Sequence, residues 1–226
     1  MGFIIYFLIV LIIPIYAQFK VKSTFNKYAK VSSTSGMSGA EVARKILNDN
    51  GLFNVAVEET RGYLSDHYDP RAKVVRLSSA NYHGHTVAGT AVAAHEVGHA
   101  IQDAKDYGFL RFRHSLVPVA NFSSNFSWIF ILIGIISQAS GMLLVGILLL
   151  ALGVLFQVVT LPVEFNASSR ALTQLTTSGI INSNENVYAK RVLNAAALTY
   201  VAAAAVAVIE LLRLVLIYTG MQNDED

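Results

Sequence analysis

Apolar residues in this chain gather into long uncharged blocks, and the polar stretches between them carry shorter periodic patterns. Gly2 to Phe19 has no charged residue and is dominated by Ile, Leu, Val, Phe and Tyr, long enough to cross a bilayer as a helix. Phe126 to Val163 is also uncharged, too long for one span and interrupted by Ser137, Gln138, Ser140 and Gly141. It reads as two spans, 117–138 and 142–162, joined by a tight hairpin, with Pro162 at the exit of the second. A last apolar block runs from Ala195 to Tyr218.

The intervening segments predict a small folded domain. Val31 to Gly39 is a Ser/Thr/Gly-rich linker ending at Ser38, a helix N-cap. Val42, Ala43, Ile46 and Leu47 follow at helical spacing, and Asn50-Gly51 closes that helix. Val55 to Val57 reads as a strand, and Gly62 to Ser78 as two strands about a turn at Asp69-Pro70-Arg71. Thr86 caps a further helix that runs to about Ala104. Residues 165–194 are polar and mostly helical.

Composition agrees with a membrane chain: 54% of residues are hydrophobic and 14% charged, against about 25% charged in soluble domains. There is no cysteine, so a metal would have to be held by His, Asp or Glu. A net charge of +2 gives no argument for a nucleic-acid partner. The position of the basic residues says more. Lys20, Lys22, Lys27 and Lys30 follow the first block, whereas a cleaved secretory signal usually has basic residues before it. The positive-inside rule then puts the N-terminus outside and residues 20–116 and 163–194 in the cytoplasm. With that orientation every Lys and Arg except Arg213 is cytoplasmic, and the acidic tail is outside.

The candidate chemistry lies in His95-Glu96-Val97-Gly98-His99. Residues four apart share one helix face, so His95 and His99 can offer two imidazole nitrogens to one metal ion, with Glu96 beside them to take a proton from the attacking water. A catalytic zinc needs a third protein ligand. Glu164, on the same side of the membrane, is the choice; the competing reading makes it an acidic residue complementing the dipole of a helix started by Pro162. His114 is a rival ligand, but beside Arg111 and Arg113 it reads as interfacial.

These residues carry a resemblance to the YugP-type membrane zinc metallopeptidases of bacteria. It runs nearly end to end, through Ser38–Arg44, Asp66–Pro70, Val92–Asp103, Thr160–Phe165 with Ala167-Ser168, and Val192–Val201. The Glu164 segment also resembles the Glu-x-x-Ala-Asp helix of HtpX-like gluzincins. Ser168 stands at the Asp position there, and Asn166 where YugP-type chains often have Asp, so support for a ligand histidine must be weaker or come from elsewhere. The resemblance implies one zinc ion per chain, with His95, His99 and Glu164 as ligands and Glu96 as general base. In zincins an edge strand beside the metal helix commonly holds the substrate, and residues 72–78 are the candidate.

His67 or Tyr68, in the polar run Asp66–Pro70, could donate to a tetrahedral oxyanion; alternatively Asp69-Pro70 makes a turn that the others decorate. His83 and His85 read as loop residues. Glu210 and Arg213, three apart inside the last span, read as a mutually neutralising pair.

The fold expected is mainly α and multi-pass. A transmembrane helix at 1–19 leads into a small α+β, zincin-like cytoplasmic domain at 20–116. A transmembrane hairpin at 117–162 and a cytoplasmic helical segment at 163–194 with the third ligand follow, then a fourth span at 195–218 and an acidic tail at 219–226. The expected function is a cell-membrane zinc metalloendopeptidase facing the cytoplasm. Its partners would be the lipid bilayer and a peptide or membrane-protein substrate, with a homo-oligomer also compatible. The alternatives are a non-catalytic, zinc-stabilised membrane scaffold or regulator and an intramembrane protease of the site-2 type. The site-2 reading is disfavoured because the apolar run Val87–Ile101 is short and flanked by His85, Gln102 and Asp103.

Overall fold

The structure, a computed structural model, describes residues 2–225. Asp226 of the expected tail and Met1 lie outside the described residues. The protein is a mainly α, multi-pass membrane protein with a small α+β part. Seven helices and three strands are described: α1 (Gly2–Tyr28), α2 (Gly39–Asp49), β1 (Ala56–Thr60), β2 (His67–Asp69), β3 (Val74–Ser78), α3 (Ser79–His83), α4 (Val87–Ala104), α5 (Gly108–Ile136), α6 (Ser140–Thr177) and α7 (Ser183–Glu225). Of these α1, α5, α6 and α7 are long and apolar enough to cross a membrane.

Each of these helices extends past the apolar block that predicts it. α1 continues through three lysines to Tyr28, and α5 begins at Gly108 rather than 117. Hydropathy marks where the surroundings change; the helix stops only where backbone hydrogen bonding does, and Lys, Gln and Arg are good helix formers. The expected helix start at Pro162 is likewise corrected, because α6 runs through Pro162 without a break. A proline inside a membrane helix is tolerated where neighbours re-satisfy the freed carbonyl.

The chain divides into two compact units. One comprises Met1–Ile15, Arg111–Pro162 and Tyr200–Asp226. Within it α5 and α6 pass closely at two glycines: a Cβ on Gly134 would lie 2.5 Å from the Leu143 nitrogen, and one on Gly146 2.8 Å from the Ile131 nitrogen. Small residues at such crossings allow the backbones to approach. Gln138 takes the left-handed conformation, φ 52°, in the turn between these helices. The Glu210 carboxylate accepts two hydrogen bonds from Arg213, at 2.6 and 3.2 Å, and the guanidinium lies over the Tyr6 ring. The paired charges thus neutralise each other within the helical region.

The second unit, Tyr16–Leu110 and Val163–Thr199, holds the sheet and α4. Its core is built from Val42, Ile46 and Leu47 of α2, Val75 and Leu77 of β3, Val87, Ala91 and Ala94 of α4, Leu175 of α6 and Leu193 of α7. Ser38 and Glu41 form a full capping box on α2, and Gly51 supplies the left-handed residue just past its end, φ 72°. The 31–39 segment is pinned rather than loose: Ser33 N–H donates to His85 O and Val87 N–H to Val31 O.

The strand order is β1-β3-β2, with β1 parallel and β2 antiparallel to β3. β3 is therefore the central strand, which corrects the reading of residues 72–78 as a substrate-holding edge. The edges are β1 and β2. The reason is visible in Val74-Val75-Arg76-Leu77-Ser78: four of its five residues are buried, as in a strand covered on both faces. Arg76 joins the sheet laterally, with Glu58 on one side and Asp69 on the other, each at 3.2 Å.

Glu185, buried in the first turn of α7, fixes that helix to the 31–39 segment. Its carboxylate accepts from Thr34 N–H at 2.7 Å, Thr34 Oγ1 at 2.6 Å and Asn182 N–H at 3.0 Å. All of these partners donate. Glu185→Ala leaves them without an acceptor, at a cost of about 1–3 kcal/mol. Glu185→Gln brings an NH2 donor against donors, so both variants should lower the melting temperature in detergent. A melting temperature for Glu185→Gln equal to wild type would show that the carboxylate is not needed there.

Candidate metal centre

The site begins with helix α4. Thr86 caps it, its hydroxyl accepting from Gly89 N–H at 3.1 Å, and the run Val87–Ala94 is almost wholly buried. This anchors the register that puts His95 and His99 on one face. Their rings lie 4.8 Å apart, nearly perpendicular at 84°.

Glu164 faces them from α6. Its Oε2 lies 3.2 Å from His95 Nε2 and 3.6 Å from His99 Nε2. Potential ligand atoms of the three residues all fall within 4.8 Å of one another, a group that could hold a metal ion. Glu164 sits in the interior of α6 and not in its first turn, so the helix-dipole reading of this residue does not apply. The carboxylate is almost fully buried.

The two helices meet in direct backbone contact. A Cβ on Gly98 would lie 2.6 Å from the carbonyl oxygen of Ala167, so only glycine fits between His95 and His99 at this crossing. Ala167 and Ser168 lie three and four residues beyond Glu164 and share its helix face. The close crossing thus carries Glu164 to within reach of both histidines.

The outer ring nitrogens are held as well. Ser168 Oγ lies 3.2 Å from His95 Nδ1, and Gln102 Oε1 lies 3.0 Å from His99 Nδ1. Gln102 Nε2 donates to the Val163 carbonyl at 2.8 Å and to Asn166 Oδ1 at 3.0 Å. Asn166 Oδ1 also accepts from Arg170 Nε at 2.7 Å. Because the amide nitrogen of Gln102 is committed to two acceptors, its oxygen faces His99, and His99 Nδ1 must be the donor. With the outer nitrogen holding its proton, Nε2, which faces Glu164, is the nitrogen left to bind a metal ion. Ser168 and Asn166 thus supply neutral support to His95 directly and to His99 through Gln102. The Gln102 role goes unnoticed in the sequence, although its position three residues after His99 places it on the same face.

Glu96 is 8% exposed. Burial pushes its carboxyl above the usual range; Glu164 and Asp66 add to this, while His95 and His99 oppose it. Burial alone would lower His99, but the hydrogen bond and charge of Glu164, with Glu96 adding, raise it. The site thus has a marked demand for positive charge, which a divalent cation meets. Two imidazole nitrogens and a carboxylate oxygen, with no thiolate, match the donor set of a catalytic zinc.

The other candidates make contacts of their own. Among the described residues His67, His83, His85 and His114 are not part of this group. His67 is exposed, its Nδ1 2.8 Å from Ser65 O. Tyr68 donates its hydroxyl to Asp103 at 2.7 Å, beside Lys73. Asp66 is a brace, accepting from Ser78 N–H and from Asn81 Nδ2. His83 pairs with Glu59 and His85 with Gly36 O.

Four membrane-length apolar helices and a His-His-Glu group in which Glu164 is buried define a membrane protein with a metallopeptidase type of donor set. Residues 3–219 match the family described as "Putative neutral zinc metallopeptidase", and the chain belongs to that family. It is 50% identical over 209 residues to the "Putative membrane protease YugP" of Bacillus subtilis (strain 168), covering 92% of this chain and 93% of that protein. No solved structure matches the chain.

The crossing makes a direct prediction. Gly98→Ala should force α4 and α6 apart and weaken zinc retention against a chelator competitor at least about tenfold, whereas Gly153→Ala, where a Cβ meets nothing within 4 Å, should not. Gln102→Ala should cost about 10–100-fold in zinc affinity, the usual effect of removing a ligand's hydrogen-bond partner. Unchanged retention in both site variants would separate these contacts from metal binding.

Proposed function

We propose that this protein is an integral-membrane zinc endopeptidase. One zinc ion would be held by His95, His99 and Glu164, and peptide bonds would be hydrolysed with Glu96 as general base and acid. The observation that carries this reading is the convergence of three ligand atoms on adjacent helices within 4.8 Å. Family membership supports the same chemistry.

Zinc bound by these residues supplies a Lewis acid for the scissile carbonyl and lowers the pKa of water towards about 7. Glu96, next to His95 and shielded from solvent, accepts the proton of the attacking water and returns it to the leaving amine. Gln102 holds a proton on the outer nitrogen of His99, so that its inward nitrogen would be the one to take the metal, and Ser168 engages the outer nitrogen of His95. His67 and Tyr68 are the proposed oxyanion donors, Tyr68 by exchanging its Asp103 acceptor for the oxyanion; the packing of their strand β2 against α4 supports a place beside the site. Substrates of this reading are peptides or segments of membrane proteins.

Glu96→Gln should retain zinc and lose about 10²–10⁴-fold in peptide hydrolysis, measured on purified protein with zinc content determined in parallel. Glu164→Ala should lose both. Equal cleavage by wild type and Glu96→Gln would remove the mechanism, and zinc-dependent stability without cleavage in wild type would favour the scaffold reading.

We also propose that the site faces the cytoplasm, which the distribution of Lys and Arg supports. The chain lacks cysteine, so single replacements report cleanly. Gln138→Cys should react with an impermeant thiol reagent applied to intact cells, and Ser35→Cys only after lysis. The reverse pattern would invert the topology.

A further inference from the structure

We propose that a basic cavity between α1 and α7 binds the phosphate headgroup of an anionic phospholipid. The cavity measures about 580 Å³, within the usual size of a small-molecule site. α1 contributes Lys20, Ser23, Thr24 and Lys27, and α7 contributes Arg191 and Asn194. On each helix these positions follow the three- and four-residue spacing that places side chains on one face. Ala195 and Leu198 continue the α7 face into the cavity lining.

Charge selects the ligand. Lys20, Lys27 and Arg191 line the cavity, and no carboxylate does. The hydroxyl of Thr24 and the amide of Asn194 add donors suited to phosphate oxygens. One wall is rigid: Tyr28 is 3% exposed and stacks on Tyr188 with ring centroids 5.1 Å apart. Arg191 Nη1 donates to the Tyr28 hydroxyl at 3.0 Å, which restrains the guanidinium and leaves the phenolic proton available to an anion.

Depth selects a lipid over free phosphate. On α1 the apolar block ends at Phe19, 70% exposed, and Lys20 follows at once. On α7 Lys190 and Arg191 come just before the apolar block that begins at Ala195, and the next cation, Arg213, is paired with Glu210. Both helices pass from hydrocarbon-compatible to cationic surface at this cavity, the level at which lipid phosphates lie. Basic pockets between membrane helices recognise anionic headgroups on these grounds, and Ala195 with Leu198 suits the apolar end of such a lipid.

The test uses the full chain in phosphatidylcholine nanodiscs carrying spin-labelled phosphatidylglycerol. Wild type should immobilise the label saturably and in preference to labelled phosphatidylcholine. The triple variant Lys20→Ala, Lys27→Ala, Arg191→Ala should bind at least about tenfold more weakly than the charge-matched control Lys22→Ala, Lys30→Ala, Lys190→Ala, whose lysines are exposed outside this lining. General attraction to an anionic surface would weaken both variants alike, since each removes three cations near the surface. Lys20→Gln with Lys27→Gln keeps the Arg191–Tyr28 bond and should show an intermediate loss at an unchanged melting temperature. Equal losses in lining and control variants, absence of headgroup preference, or displacement of the label by inorganic phosphate as readily as by unlabelled phosphatidylglycerol would each overturn the proposal.

Discussion

The contact on which the rest of the site depends is between two backbones. Where α4 passes α6, the missing side chain of Gly98 leaves room for the carbonyl of Ala167. Side chains of ordinary size would hold helices about 8–10 Å apart, and a carboxylate has limited reach. The close pass brings Glu164 within 3.2 and 3.6 Å of the two histidine nitrogens. The buried faces around it, small residues on α4 and Ala167 and Ala171 on α6, permit the same approach along the crossing. Metal chemistry here therefore rests on a packing decision made by residues that would bind no metal themselves.

Around that crossing the polar groups are arranged so that a buried carboxylate and two partly buried imidazoles are supported without further charge at the ring nitrogens. Ser168 and Gln102 are neutral, and the cation in the chain, Arg170, acts one step out through Asn166. A carboxylate partner would make each imidazole more basic. The neutral pair fixes orientation while leaving the demand for positive charge inside the group of three, where Glu164 and Glu96 create it.

Much of this was legible in the sequence, for stated physical reasons. His95 and His99 follow from helical periodicity, and the apolar blocks follow from composition. Glu164 needed more, a topology that put it on the right side and a family resemblance that singled it out. The helix ends were not legible, because Lys20 to Tyr28 is polar yet continues α1, and Pro162 is a helix breaker in water but lies inside α6. The central position of β3 was not legible either, because Arg76 interrupts the apolar run Val74-Val75-Leu77 and its guanidinium finds partners only in the neighbouring strands. Gln102 stayed hidden for a different reason. Glutamine after a metal motif looks like an ordinary polar surface residue, and only the position of α6 gives its amide two acceptors.

The Gln102 amide has a consequence for heredity as well as chemistry. Its nitrogen is directed by two acceptors, one of which is the main-chain oxygen of Val163. A peptide carbonyl is common to every amino acid, so no codon change at position 163 deletes it. Which nitrogen of His99 bears the proton is thereby decided partly by an atom outside the reach of point mutation, and this part of the site can drift in sequence without losing its tautomer.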